Sequence, residues 1–172
     1  MPDNYDWSTF TKRIDIKCSG KDAYNAWATQ KGLQKWFLRS ALFTTPTGAA
    51  VGGNEHIKAG DAYKWLWYGY DDTTVEYGEI VEANGVNFLC FTFCSEAAKT
   101  DMQVSISIKQ EHGETIVELK QFNIPTDDRG KALFHVGCME GWVFYLANLK
   151  SVLEGGVDLR NKNEQLKKMV NS

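Results

Sequence analysis

Residues 128–156 read DRGKALFHVGCMEGWVFYLANLKSVLEGG. Within this stretch His135, Met139, Trp142, Leu146, Leu149 and Leu153 recur every three or four residues, the spacing at which side chains share one face of an α-helix. Pro125 ends whatever precedes it, and Asp127 or Asp128 offers an N-cap oxygen to the first-turn amides. Gly155-Gly156 supplies the left-handed exit that helix C-termini favour. The chain therefore holds one long amphipathic helix, whose apolar face must lie against something broad.

Working upstream, that partner reads as strands. STFTKRIDIK (8–17) sets Phe10, Ile14 and Ile16 against polar neighbours, a strand with one wet face. Ser19 then caps a helix with Asp22 as its first-turn partner, and Ala23, Ala26 and Trp27 share one face. Gly32 is read as the interruption, with LQKWF (33–37) a second short helix. LRSALFT (38–44) is the second strand, closed by the Pro/Gly-rich loop TTPTGAAVGGN (44–54). DAYKWLWYGY (61–70) alternates Tyr63, Trp65 and Trp67 with Lys64, Leu66 and Tyr68, while EYGEIVEANG (76–85) ends in an Asn84-Gly85 hairpin signal before VNFLCFTF (86–93). MQVSISIKQ (102–110), a His112-Gly113 turn and ETIVELKQF (114–122) complete an antiparallel meander. The tail VDLRNKNEQLKKMVNS (157–172) is charged and weakly periodic, a frayed helix or a mobile end. The pattern predicts an α+β class chain forming a single domain, residues 1–172, with its core at about 8–155.

Composition narrows the function classes. A net charge of −3 gives no positive field for a phosphate backbone, so no nucleic-acid partner is expected. There is no apolar run of about 18 residues and the start MPDNYDWSTF lacks a basic-then-apolar leader, so neither membrane insertion nor secretion is expected and the address is taken as cytoplasmic. Cys18, Cys90, Cys94 and Cys138 are scattered, without matching His56, His112 or His135 spacing, so they are read as packed thiols, with no metal and no cofactor. G-x-S-x-G, H-E-x-x-H and phosphate-loop signatures are absent. Aromatics are 13% of the chain, with 6 Trp, 7 Tyr and 9 Phe. Because each ring buries roughly 150–250 Å², they dominate any interior. One helix covers only a strip of a six- or seven-stranded sheet, and the rings either pack solid beneath it or line a ligand cavity.

The order strand, two short helices, meander, long helix resembles the START-like superfamily (SRPBCC, birch-pollen-allergen-like), and within it the family of the C-terminal domain of the activator of heat-shock-protein-90 ATPase. The resemblance spans residues 8 to about 160 and is carried by AYNAWATQKGLQKWF (23–37), Gly60 with Tyr63, Trp65 and Trp67, YGEIVEANGVNFLCFTF (77–93), and GWVFYLANLKSVLEGGVDLR (141–160). It implies a helix-grip fold, a curved sheet around the C-terminal helix, enclosing a cavity for lipid-like or polyketide-like molecules. It places Trp36, Tyr63, Trp65, Trp67, Phe91, Phe93, His135, Met139 and Trp142 along that cavity. The eukaryotic activator also has a separate N-terminal domain for chaperone contact, to which nothing in these residues corresponds.

For polar chemistry the candidate is His135, one turn before Met139 on the apolar stripe; the alternative is a hydrogen-bonded core histidine. Glu76, Glu79 and Glu82 are read as the wet face of a strand. Three functions follow as expectations: binding of a hydrophobic or amphipathic small molecule by a monomer or homodimer; a cyclase, aromatase or isomerase using His135 as acid/base; or an interaction module for a chaperone ATPase.

Overall fold

A computed structural model describes residues 4–172; the first three residues of the N-terminal segment read above lie outside it. Seven strands run as β1 (Phe10–Ile16), β2 (Ser40–Thr44), β3 (Ala62–Leu66), β4 (Glu76–Ala83), β5 (Phe88–Thr92), β6 (Gln103–Glu111) and β7 (Glu114–Phe122). They form one antiparallel sheet in the order β1-β7-β6-β5-β4-β3-β2. Helices α1 (Gly20–Ala28) and α2 (Gln30–Trp36) follow β1, a single turn α3 (Ser95–Ala98) follows β5, and α4 (Cys138–Leu153) packs against β1 and α2. This is the helix-grip architecture.

Local chemistry accounts for the joints. Ser19 Oγ accepts the Asp22 amide at 3.0 Å and starts α1. His112 and Gly113 both take positive φ, 48° and 81°, the backbone a two-residue hairpin needs between β6 and β7. Asn84 Oδ1 accepts the amides of Val86, Asn87 and Phe88 and fixes the β4–β5 loop.

Two expected joints move. The break between α1 and α2 falls at Thr29, whose extended backbone ends α1 and whose hydroxyl accepts the Gly32 amide at 2.9 Å to start α2. Gly32 lies inside α2 for another reason: a Cβ there would sit 2.2 Å from the Asn25 carbonyl oxygen, so only glycine lets the two helices touch. The long helix is not α-helical throughout. Asp127 Oδ1 does cap it, accepting the Gly130 amide at 2.6 Å, but Gly130–Gly137 is π-helical, a wider turn that shifts the phase of the side chains before α4 begins.

The tail is neither a helix nor a loose end. Arg160, 6% exposed, donates to the carbonyls of Gln34, Lys35 and Leu38 at the end of α2 and to both oxygens of Asp158. Asn148 of α4, fully buried, donates to Trp36 O at 2.7 Å and accepts the Leu159 amide at 2.7 Å. Together they seam the tail to two helices.

Candidate functional site

The concave face follows from strand parity. Tyr63 and Trp65 point inward from β3, Glu76, Gly78 and Ile80 from β4, and Leu89 and Phe91 from β5, opposite Trp142 of α4. Most of the expected ring wall is therefore brought together. Tyr63 and Trp65 stack with centroids 3.8 Å apart, Trp65 meets Phe91 at 5.3 Å, and Phe93 meets Trp142 at 5.2 Å. Phe37, absent from the expected wall, is its hub, lying 5.2 Å from Trp36, 5.7 Å from Trp65, 5.8 Å from Trp67 and 5.1 Å from Trp142.

Gly78 makes room for this packing. A Cβ there would lie 2.5 Å from the Tyr63 phenol, which crosses over β4 to donate to Thr92 O at 2.6 Å. Trp36 Nε1 donates to Ala26 O, and Trp142 Nε1 to Gln121 Oε1, each at 2.9 Å. Among the described residues the Nε1 groups of Trp27 and Trp65 have no acceptor; the two rings pack steeply against Trp36 and Phe91.

The interior is thus mostly ring against ring, and open volume appears at its edge. A cleft of about 630 Å³ lies between the β3–β4 connection, α3, α4 and the tail, walled by Trp67, Phe93, Phe144 and Tyr145, with Met169 and Val170 on its rim. Tyr145 Oη donates to Ser172 O at 2.9 Å, fastening that rim. Of the expected wall, Trp67 and Phe93 reach the cleft. Trp36, Tyr63, Trp65, Phe91 and Trp142 are spent in the packed cluster behind it, and Met139 is half-buried against the core.

His135 goes elsewhere. Its phase within the π-helical segment turns it to the N-terminal strand side, among Tyr5, Trp7 and Phe10, with ring centroids 5.0–5.4 Å away. Nδ1 meets Trp7 O at 2.9 Å and Nε2 meets Tyr5 Oη at 2.8 Å. A carbonyl can only accept, so Nδ1 donates to Trp7 O, while the Tyr5 hydroxyl occupies Nε2. Both nitrogens are occupied by the protein. The expected role for His135 on the cavity wall, and as an acid/base, has no geometry behind it.

The polar group at the cleft is instead Glu76. Residues 76, 79 and 82 cannot share one face of a strand, and the structure separates them: Glu79 and Glu82 face water, while Glu76 turns in opposite Trp65. Its Oε1 accepts the Cys94 amide at 2.7 Å and lies 3.5 Å from Tyr63 Oη. Burial pushes the Glu76 carboxyl above its usual range, against the opposing pull of those hydrogen bonds. Such a carboxyl costs stability only when ionised in the fold. Glu76→Gln should therefore stabilise the protein above neutral pH, with the gain vanishing below about pH 4.5, where both folded and unfolded carboxyls are protonated. Melting temperatures across pH 4–8 read this directly, and a gain that persists at pH 4 would count against the buried charge as its source.

A second cleft, about 590 Å³, lies between α1, α2 and the end of α4 and is lined by ionic and polar groups including Lys21, Asp22, Lys31 and His56. Among the described residues no group of three or more His, Cys, Asp or Glu is placed to hold a metal ion, and no helix is long and apolar enough to cross a membrane.

The family described as "Activator of Hsp90 ATPase homolog 1-like protein" matches residues 17–154. The chain belongs to that family. No curated protein matches it at a significant level. Among solved structures, a Staphylococcus saprophyticus protein is similar at 18% identity and TM-score 0.67, covering 88% of this chain and 96% of its own. The Aha1 dimer from Colwellia psychrerythraea is similar at 20% identity and TM-score 0.64, over 86% and 97%. A Chromobacterium violaceum protein follows at 17% and 0.61, over 86% and 97%. At these identities the likeness establishes the fold of this family member and nothing finer.

Proposed function

We propose that this member of the family binds a hydrophobic or amphipathic small molecule, lipid-like or polyketide-like, in the cleft between α4 and the β3–β4 connection. The observation that carries this reading is the combination in one cleft of about 630 Å³ of aromatic walls and the half-buried carboxyl of Glu76. The volume falls in the range of small-molecule sites, and the mix of apolar lining with a few polar groups is what such sites use to hold and orient a ligand. The apolar part of the ligand lies along Trp67, Phe93 and Phe144, and a hydroxyl or carbonyl meets Glu76. The cyclase or isomerase alternative was built on His135, which lies away from this cleft against Tyr5 and Trp7. The four free thiols fit the cytoplasmic address expected from the sequence.

Gly141 gives a clean test. It lines the cleft from within α4, and a Cβ built on it meets nothing within 4 Å. Gly141→Leu should fill the cleft while raising stability by about 1 kcal/mol, because glycine is costly in a helix interior. Titration with dodecanoic acid or 8-anilinonaphthalene-1-sulfonate, followed by tryptophan emission or melting temperature, is expected to show saturable binding to the wild type, weakened at least about tenfold in the variant. Equal binding by the two proteins, or none by the wild type, defeats the proposal.

A second reading, self-association, draws on the outer side of the same helix. Leu133, Val136 and Val143 are exposed there, and the Colwellia relative was solved as a dimer.

A further inference from the structure

The stretch that follows Arg160 is a closed loop. Asn161 N donates to Asn171 O at 2.6 Å and the Asn171 side-chain amide donates to Leu159 O at 2.8 Å, so residues 161–171 leave the body of the protein and return to the same point. A surface loop with joined ends is an Ω-loop, a form that frequently carries function. On its near side Arg160 and Asn148 bind the chain to α2 and α4. On its far side Ser172 O accepts from Tyr145 Oη, and Ser172 lies against Gly69, where any side chain would collide with it. Between these points the grip is slight: no residue from Asn161 to Ser172 is buried, and Leu166, Met169 and Val170 are exposed. With so little apolar packing to lose on lifting, the loop belongs to the least stable part of the fold. Yet it carries Met169 and Val170 to the rim of the aromatic cleft.

We propose that residues 161–172 are a flap over the cleft, which opens about the Arg160 seam and is held down by an apolar ligand that covers Met169 and Val170. The proposal rests on the cleft being the binding site. Opening breaks three latches: Asn161 to Asn171, Asn171 to Leu159, and Tyr145 to Ser172. The seam at Arg160 and Asn148 stays intact and acts as the hinge, because its hydrogen bonds are buried between two helices. Met169 and Val170 line the cleft in the latched position, so a ligand seated against them favours that position by the apolar surface it covers.

Hydrogen exchange on the full chain, followed by NMR with no ligand added, reads the opening. The Asn161 amide is expected to exchange at least about tenfold faster than the Leu159 amide, which Asn148 holds at the seam. Asn171→Ala should speed Asn161 exchange by a further factor of about two to ten and leave Leu159 unchanged. Equal exchange at the two amides, or no response to Asn171→Ala, overturns the flap. The neutral probe N-phenyl-1-naphthylamine reads the closure. It should slow Asn161 exchange in the wild type, and Val170→Asp should weaken its binding at least about fivefold with the melting temperature unmoved, since Val170 is 87% exposed. Equal binding by wild type and variant overturns the flap alone, whereas a wild type that does not bind the probe sinks the cleft as a binding site and the closure with it.

Discussion

Truncating Trp142 to alanine is expected to remove about 4 kcal/mol of folding stability, a large share of the 5–15 kcal/mol a domain usually has. The indole is 2% exposed and touches Phe37, Phe93 and Trp27, each ring held by a different element. Two costs add. The vacated volume is walled by rigid rings that cannot collapse into it, and Gln121, fully buried, loses the donor at its Oε1 while its Nε2 stays committed to Phe134 O. Trp142→Phe separates the costs, keeping most of the volume and losing the hydrogen bond, with an expected loss of about 1–2 kcal/mol. Urea unfolding with an unchanged m-value measures both. A Trp142→Ala loss below about 1.5 kcal/mol would mean the rings are not packed as described.

Arg160→Met should cost about 3 kcal/mol, at the lower end for breaking a buried ion pair because Asp158 remains partly exposed. Methionine keeps the stem's volume, so the loss reports the guanidinium. Without it three carbonyls at the end of α2 lose a donor, and Asp158 keeps the exposed Lys162 as its ion-pair partner beside the Asn148 amide and the residue-160 backbone amide. The pH dependence gives an independent check. Burial works against the Asp158 charge, yet hydrogen bonds from Arg160 and Lys162 prevail and hold this carboxyl well below its usual range. A depressed carboxylate stabilises the fold fully above its unfolded value near 3.8, and the contribution is lost as pH falls below that toward the folded value. The variant's deficit should therefore shrink in acid. A deficit independent of pH from 7 down to 2 would assign Arg160 a packing role alone.

Most of the architecture was legible because it is written in periodicity and turn chemistry. Period-two strands, Asn84-Gly85 and His112-Gly113 give the meander, and Ser19, Asp127 and Gly155 give the helix limits. What escaped depends on contacts or on phase. The π-helical turn at Gly130–Gly137 leaves no mark in an apolar stripe, so the stripe points His135 at the cavity, while the structure makes it the hydrogen-bonded core histidine that was the alternative. Glu76 was within reach: it shares parity with Gly78 and Ile80, and counting by two would have turned it inward. Phe37 and Asn148 carry no local signal, being defined by what residues of other elements place around them. Asp158 and Arg160 stood out as part of the family resemblance, but only the seam against α2 says what they do.

The strand order also bears on how the molecule comes together in time. Five pairings, from β2–β3 through β6–β7, join strands consecutive in the chain, so each closes over a short span. The pairing of β1 with β7 is different in kind: Phe10 must find Gln121 and Ile16 must find Thr115, across nearly the whole sequence. Loop-closure entropy grows with that separation, and distant pairings slow folding. Because α1 and α2 are tethered directly behind β1, the two helices that supply Trp27, Trp36 and Phe37 are delivered by the same long-range event. Between β1 and β2, the two outermost strands of the sheet, these helices also link its two edges.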